Sequence, residues 1–135
     1  MPLKRITQDL WQSCAPEARK ILEESSGWRA LGIRGVLCPA YNIRIAYPEE
    51  LAAMVLPVWD DTDVPDGWYD LAVHFFGRFK PILVHCNGGL NRSSAFAMAI
   101  LINQEVPLEE ASKMVNKPPG DPVLMESLRR WAKNS

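Results

Sequence analysis

The chain has 135 residues, 47% hydrophobic and 23% charged, with a formal net charge of −1 at pH 7. That is enough apolar material for one domain, residues 1–135, to bury a core without disulfide or metal staples. The balanced charge leaves no basic footprint for nucleic acid or an anionic membrane. No apolar run is long enough to cross a bilayer, and Met1-Pro2-Leu3-Lys4-Arg5 leads into polar sequence instead of a signal-peptide core, so cytoplasmic residence is expected.

In chain order, apolar runs bounded by turn residues predict strands near 9–12, 35–38, 55–58 and 82–86. Helical periodicity predicts helices near 16–24, 49–53, 67–79, 93–103, 108–115 and 123–132. The alternation predicts an α/β fold, a central and mostly parallel sheet flanked by helices, with a site at the carboxyl ends of the strands. The stretch Lys117-Pro118-Pro119-Gly120-Asp121-Pro122 reads as a loop between helices. His74, Phe75 and Phe76 read as helix residues packed on the sheet, and Trp11, Trp28 and Trp131 as packing groups.

The most informative stretch is Val84-His85-Cys86-Asn87-Gly88-Gly89-Leu90-Asn91-Arg92-Ser93, which follows the apolar run Pro81-Ile82-Leu83-Val84 and opens an Ala/Met/Leu-rich helix. A Cys-x5-Arg spacing is weak alone. The strand, Gly-rich loop and helix around it supply the specificity. The backbone of Asn87, Gly88, Gly89, Leu90, Asn91 and Arg92 can curl so that successive N–H groups converge on an anion, the glycines easing the dihedrals this needs. The helix adds the positive end of its dipole, and the Arg92 fork can hold two phosphate oxygens at once. An electropositive cradle also favours a thiolate, lowering a cysteine pKa from about 8.5 to roughly 3.5–7.5, which makes Cys86 the candidate nucleophile. His85 is expected to orient the loop by hydrogen bonding, since strand alternation points it away from Cys86. Ser93 could donate a hydrogen bond to the sulfur as it leaves, or serve as a helix N-cap.

Displacing an alkoxide or phenoxide needs a proton donor, and Trp59-Asp60-Asp61-Thr62-Asp63-Val64-Pro65 offers several carboxylates after another apolar run. Together these motifs resemble the protein tyrosine phosphatase superfamily. His85-Cys86-x5-Arg92-Ser93 is similar to its signature, and 59–65 to its general-acid loop, Trp-Pro-Asp-x-Gly-Val-Pro in tyrosine-specific members. The chain's short length resembles the small dual-specificity type. So do Ile6-Thr7-Gln8-Asp9-Leu10-Trp11, Leu31-Gly32-Ile33-Arg34-Gly35-Val36-Leu37-Cys38 and Leu108-Glu109-Glu110-Ala111, and the resemblance covers nearly the whole chain. It implies Asp61 as the acid, with Asp60 as runner-up, and Trp59 as a hinge of the acid loop. It also implies that Cys38 can form a reversible disulfide with the nucleophile, as a matching cysteine does in some members. The chain departs from the pattern at Gly88, where alanine is common, at Asn91, where the family has serine or glycine, and at Asp60, which replaces the acid-loop proline.

The expected activity is metal-independent hydrolysis of phosphate monoesters, on phosphotyrosine and/or phosphoserine/threonine proteins or a small phosphomonoester. Three cysteines at uneven spacing and two histidines predict no metal cluster, and no cofactor is expected. The loop between Cys86 and Arg92 has no lysine, which weighs against phosphoinositides and RNA 5′-triphosphates. The alternatives are phosphatases of such non-protein substrates, a sulfur-transfer or arsenate-reducing cysteine enzyme, and a non-catalytic phosphate-binding module. The sequence leaves the oligomeric state open.

Overall fold

A computed structural model describes residues 3–59, 63–87 and 90–134. These form a five-stranded sheet in the order β1-β2-β5-β3-β4 and six helices. The strands are β1 (Lys4–Thr7), β2 (Leu10–Ser13), β3 (Gly35–Cys38), β4 (Ala52–Val55) and β5 (Ile82–His85). Only β1 and β2 pair antiparallel; β2 with β5, β5 with β3, and β3 with β4 are parallel. Every residue of β3 and β5 is buried, as strands covered on both faces require, which explains why they read as continuous apolar runs.

Alternation along the strands divides the core. Leu10, Leu37, Ile82 and Val84 face α3 (Asp66–Phe79), α4 (Asn91–Asn103), α5 (Leu108–Met114) and α6 (Pro122–Lys133). Val36 and Leu83 face α1 (Ala15–Leu22) and α2 (Gly27–Ala30), through Ala18, Leu22 and Trp28. The outer helices show one apolar stripe each, such as Leu124, Leu128 and Trp131 on α6. By contrast α4 is buried all round from Arg92 to Leu101, because α3, α5, α6 and the sheet surround it. Gly35 lets α3 approach the sheet: a Cβ there would meet Phe79 Cβ at 3.0 Å and Ile82 Cγ2 at 3.1 Å.

Two expectations are corrected. No helix forms at 49–53, and the strand expected at 55–58 lies at Ala52–Val55 instead. Five residues are too few to nucleate a helix without support. Here Leu51 N–H closes a turn onto the Pro48 carbonyl (3.1 Å) and Ala52 N–H donates to Arg34 O (3.1 Å), starting the parallel ladder with β3. The strand stops before Pro57, which has no N–H to continue it. β1 and the four-residue α2 were not predicted; both are short and weakly patterned. No helix of the described residues is long and apolar enough to cross a membrane.

Candidate active site

β5 delivers His85 and then Cys86 to the carboxyl edge of the sheet, between β2 and β3 where the strand order doubles back. The backbone turns through Asn87, whose carbonyl accepts from Ala15 N–H at the start of α1 (2.9 Å). It re-enters regular structure at Leu90, which caps α4 with φ 61 and ψ 1. This is the left-handed region, costing a non-glycine residue on the order of 1 kcal/mol, and it is held because the Leu90 side chain is buried. Its carbonyl accepts from Ser94 N–H (2.9 Å) and Ser93 Oγ (3.3 Å), so the cap at the mouth of α4 is Leu90 and Ser93 lies one turn inside. Gly88 and Gly89 lie outside the described residues.

Arg92 is buried in the first turn of α4. Its Nη1 donates to the Val58 carbonyl (3.0 Å) and to Asn42 Oδ1 (3.2 Å), and its guanidinium carbon stands 5.9 Å from the Tyr41 ring centroid. The same Val58 carbonyl accepts from Tyr41 N–H (3.3 Å), and Trp59 stacks on Tyr41 with centroids 3.4 Å apart and planes 13° from parallel. The structure therefore ties the arginine at one end of the Cys86 loop to the root of the aspartate-rich segment. Beyond that segment, Arg130 of α6 bonds Asp63 Oδ1 (2.8 Å), the Val64 carbonyl (2.8 Å) and Asp66 Oδ1 (3.0 Å). Asp60 and Asp61 lie outside the described residues, between these two anchored ends.

His85 is fully buried, and desolvation pulls its pKa down to about 4, so the ring is neutral near pH 7. A proton on Nδ1 faces the Cys86 carbonyl (3.5 Å), leaving Nε2 to accept from the Tyr47 hydroxyl (2.8 Å). Tyr47 also hydrogen-bonds the Cys38 thiol, and Cys38, Ala40 and Cys86 share one apolar cluster at the ends of β3 and β5. Burial pushes the Cys38 thiol up to about 11, and burial with the neighbouring Cys38 raises the Tyr47 phenol.

Behind the loop lies a buried polar network. Gln12 Nε2 donates to Ser93 Oγ (2.9 Å) and Ser94 Oγ (2.8 Å), while its Oε1 accepts from Asn116 N–H (2.9 Å). Ser94 Oγ donates to the Lys117 carbonyl, and Asn91 Oδ1 accepts from Gly120 N–H (2.8 Å), so the α5–α6 connection braces the start of α4. Sequence reasoning singled out none of Gln12, Asn42, Tyr47 or Arg130. For Gln12 a signal existed: it stands two residues after Leu10 in a strand, on the core-facing side. Among the described residues, no group of three or more His, Cys, Asp or Glu side chains could hold a metal ion.

No protein-family model matches the chain, and no curated protein matches it by sequence. Solved structures match by fold. A point variant of human DUSP28 gives a TM-score of 0.85 at 20% identity, covering 99% of this chain and 96% of that one. The human tyrosine phosphatase-like serine/threonine/tyrosine-interacting protein gives 0.81 at 17% identity, covering 98% and 96%. The active form of Tk-PTP gives 0.77 at 18%, covering 98% and 97%. One architecture is thus shared from end to end.

Proposed function

We propose, from the fold this chain shares with the small dual-specificity phosphatases, that it hydrolyses phosphate monoesters through a phosphocysteine. The observation that carries the reading is the Arg92 to Val58 bond, which brings the Cys86 loop and the root of the aspartate segment into one site. Cys86 Sγ attacks phosphorus, the ester P–O bond breaks, and Asp61 gives its proton to the leaving oxygen. Arg92 and the loop amides of 87–92 bind the phosphoryl oxygens. Water then attacks the phosphocysteine, Asp61 takes a water proton, the P–S bond breaks onto Sγ, and Ser93 donates a hydrogen bond to the sulfur. His85, neutral and bonded on both ring nitrogens, orients the loop and does not act as base. No step uses a metal or cofactor.

Phosphoproteins, with phosphotyrosine and/or phosphoserine/threonine, are the substrate class this reading favours. The exposed Tyr41 and Trp59 rings beside Arg92 supply an aromatic rim on which a phenyl ester can lie. A panel of aryl phosphate, phosphotyrosine, phosphothreonine, phosphoinositide and sugar phosphate, assayed in excess chelator, tests it. Turnover of the aryl and phosphopeptide substrates without metal is expected. Tight phosphopeptide binding with no turnover would establish a binding module instead.

Cys38 is proposed as the redox partner of Cys86. Peroxide would oxidise Cys86 to the sulfenic acid, and Cys38 Sγ would displace water from it to form the disulfide. Both thiols are buried in the same cluster, which supports the pairing. Mild peroxide followed by mass mapping should give a Cys38 to Cys86 link; sulfinic acid at Cys86 with Cys38 still a thiol would exclude it.

A further inference from the structure

Gln12 is a wholly buried amide on a strand that otherwise presents Leu10 to the same face, where an aliphatic side chain would meet every packing need. A buried amide is costly unless satisfied, and this one is satisfied completely: both Nε2 protons reach serine hydroxyls and Oε1 receives a backbone N–H. Those partners also fix its orientation. Turned over, the amide would press its NH2 group against Asn116 N–H, donor against donor.

The consequence falls on Ser93. Its oxygen already accepts from Gln12 (2.9 Å), so the hydroxyl proton is left to donate, and it does so to the Leu90 carbonyl over a long 3.3 Å. A bond of that length is weak and easily given up. We propose that Gln12 is a positioning residue for the second chemical step. It holds Ser93 Oγ from behind so that the Ser93 proton stays available to Cys86 Sγ when the P–S bond breaks and the electron pair returns to sulfur. A neutral amide suits this because its NH2 cannot compete for the proton, whereas a carboxylate would take it. The other prong of the fork, on Ser94, ties the device to the α5–α6 connection through the Lys117 carbonyl. Attack on the substrate makes no use of it, so Gln12 acts on breakdown of the intermediate and not on its formation.

This assignment rests on the phosphocysteine reading, and the test separates the two. An aryl phosphate labelled on phosphorus is mixed rapidly with enzyme, quenched in acid, and the phosphate trapped on Cys86 is counted alongside product release. Gln12→Leu should keep the rate of the first turnover, slow steady-state release about tenfold, the scale of one hydrogen bond, and raise the trapped phosphoenzyme. Gln12→Glu should do the same with a side chain of similar size. Gln12→Met keeps the length and drops the amide, and carries the test if Gln12→Leu does not fold. Ser94→Ala, which removes one support of Gln12 and leaves the Gln12 to Ser93 bond in place, should accumulate less phosphoenzyme than Gln12→Leu. Accumulation in Ser94→Ala equal to that in Gln12→Leu, or an equal fall of first-turnover and steady-state rates in the Gln12 variants, would overturn the assignment. Trapping in wild type with no increase in the Gln12 variants would also overturn it. Trapping in neither wild type nor variants overturns the phosphocysteine reading as well.

Discussion

Cys86→Ser should reduce hydrolysis of an aryl phosphate by a factor on the order of 10⁴ or more, to the background of the assay. A serine hydroxyl is a far weaker nucleophile than a thiol at neutral pH, and the adjacent imidazole is not placed to activate it: His85 has its ring nitrogens engaged by the Tyr47 hydroxyl and the Cys86 carbonyl. The exchange changes one atom in a cluster with Cys38 and Ala40, so the fold should survive. Affinity for inorganic phosphate should persist, because the proposed mechanism gives anion binding to Arg92 and the loop amides and not to the thiol. Initial rates and titration calorimetry on the same preparation give the two answers. A rate within tenfold of wild type would remove Cys86 from the chemistry.

Asp61→Ala is expected to cost about 10²–10⁴ in rate for poor leaving groups and much less for good ones, since only a basic leaving oxygen needs its proton. The pH profile gives a second check. A general acid works protonated, so wild-type kcat falls as pH rises through its pKa; the variant should lose that basic limb. Asp60→Ala, measured in parallel, should leave both the leaving-group slope and the limb in place. If Asp60→Ala flattens the profile and Asp61→Ala does not, the acid is Asp60. The described residues on either side of this pair in the chain are anchored: Arg92 and Tyr41 hold Val58, and Arg130 holds Asp63, Val64 and Asp66.

The centre of the fold was legible because its elements are long or uniformly apolar. β3 was placed residue for residue, and α3, α5 and α6 within a residue at each end, since their apolar stripes repeat at helical spacing. The edge was not. β4 is a four-residue strand with alternating half-burial, and it exists because β3 offers it a free parallel edge, a fact held in the partner strand's position. The candidate site divides likewise. Cys86 and Arg92 share one contiguous motif, so their chemistry could be read from spacing and neighbours. Asn42, Tyr47 and Arg130 meet it through contacts spanning 38 to 67 residues of chain, and no local pattern announces those. Gln12 ended a predicted strand and drew no functional reading, although its parity with Leu10 pointed inward.

The Val58 carbonyl has a consequence for how this domain can change. Both of its contacts, to Arg92 Nη1 and to Tyr41 N–H, use a main-chain oxygen that every amino acid supplies. Substitution at position 58 therefore cannot delete the tie between the arginine and the aspartate segment. It can only displace it by moving the backbone. The side chains nearby are free to drift and retune what the rim accepts, while the link itself is inherited with the fold.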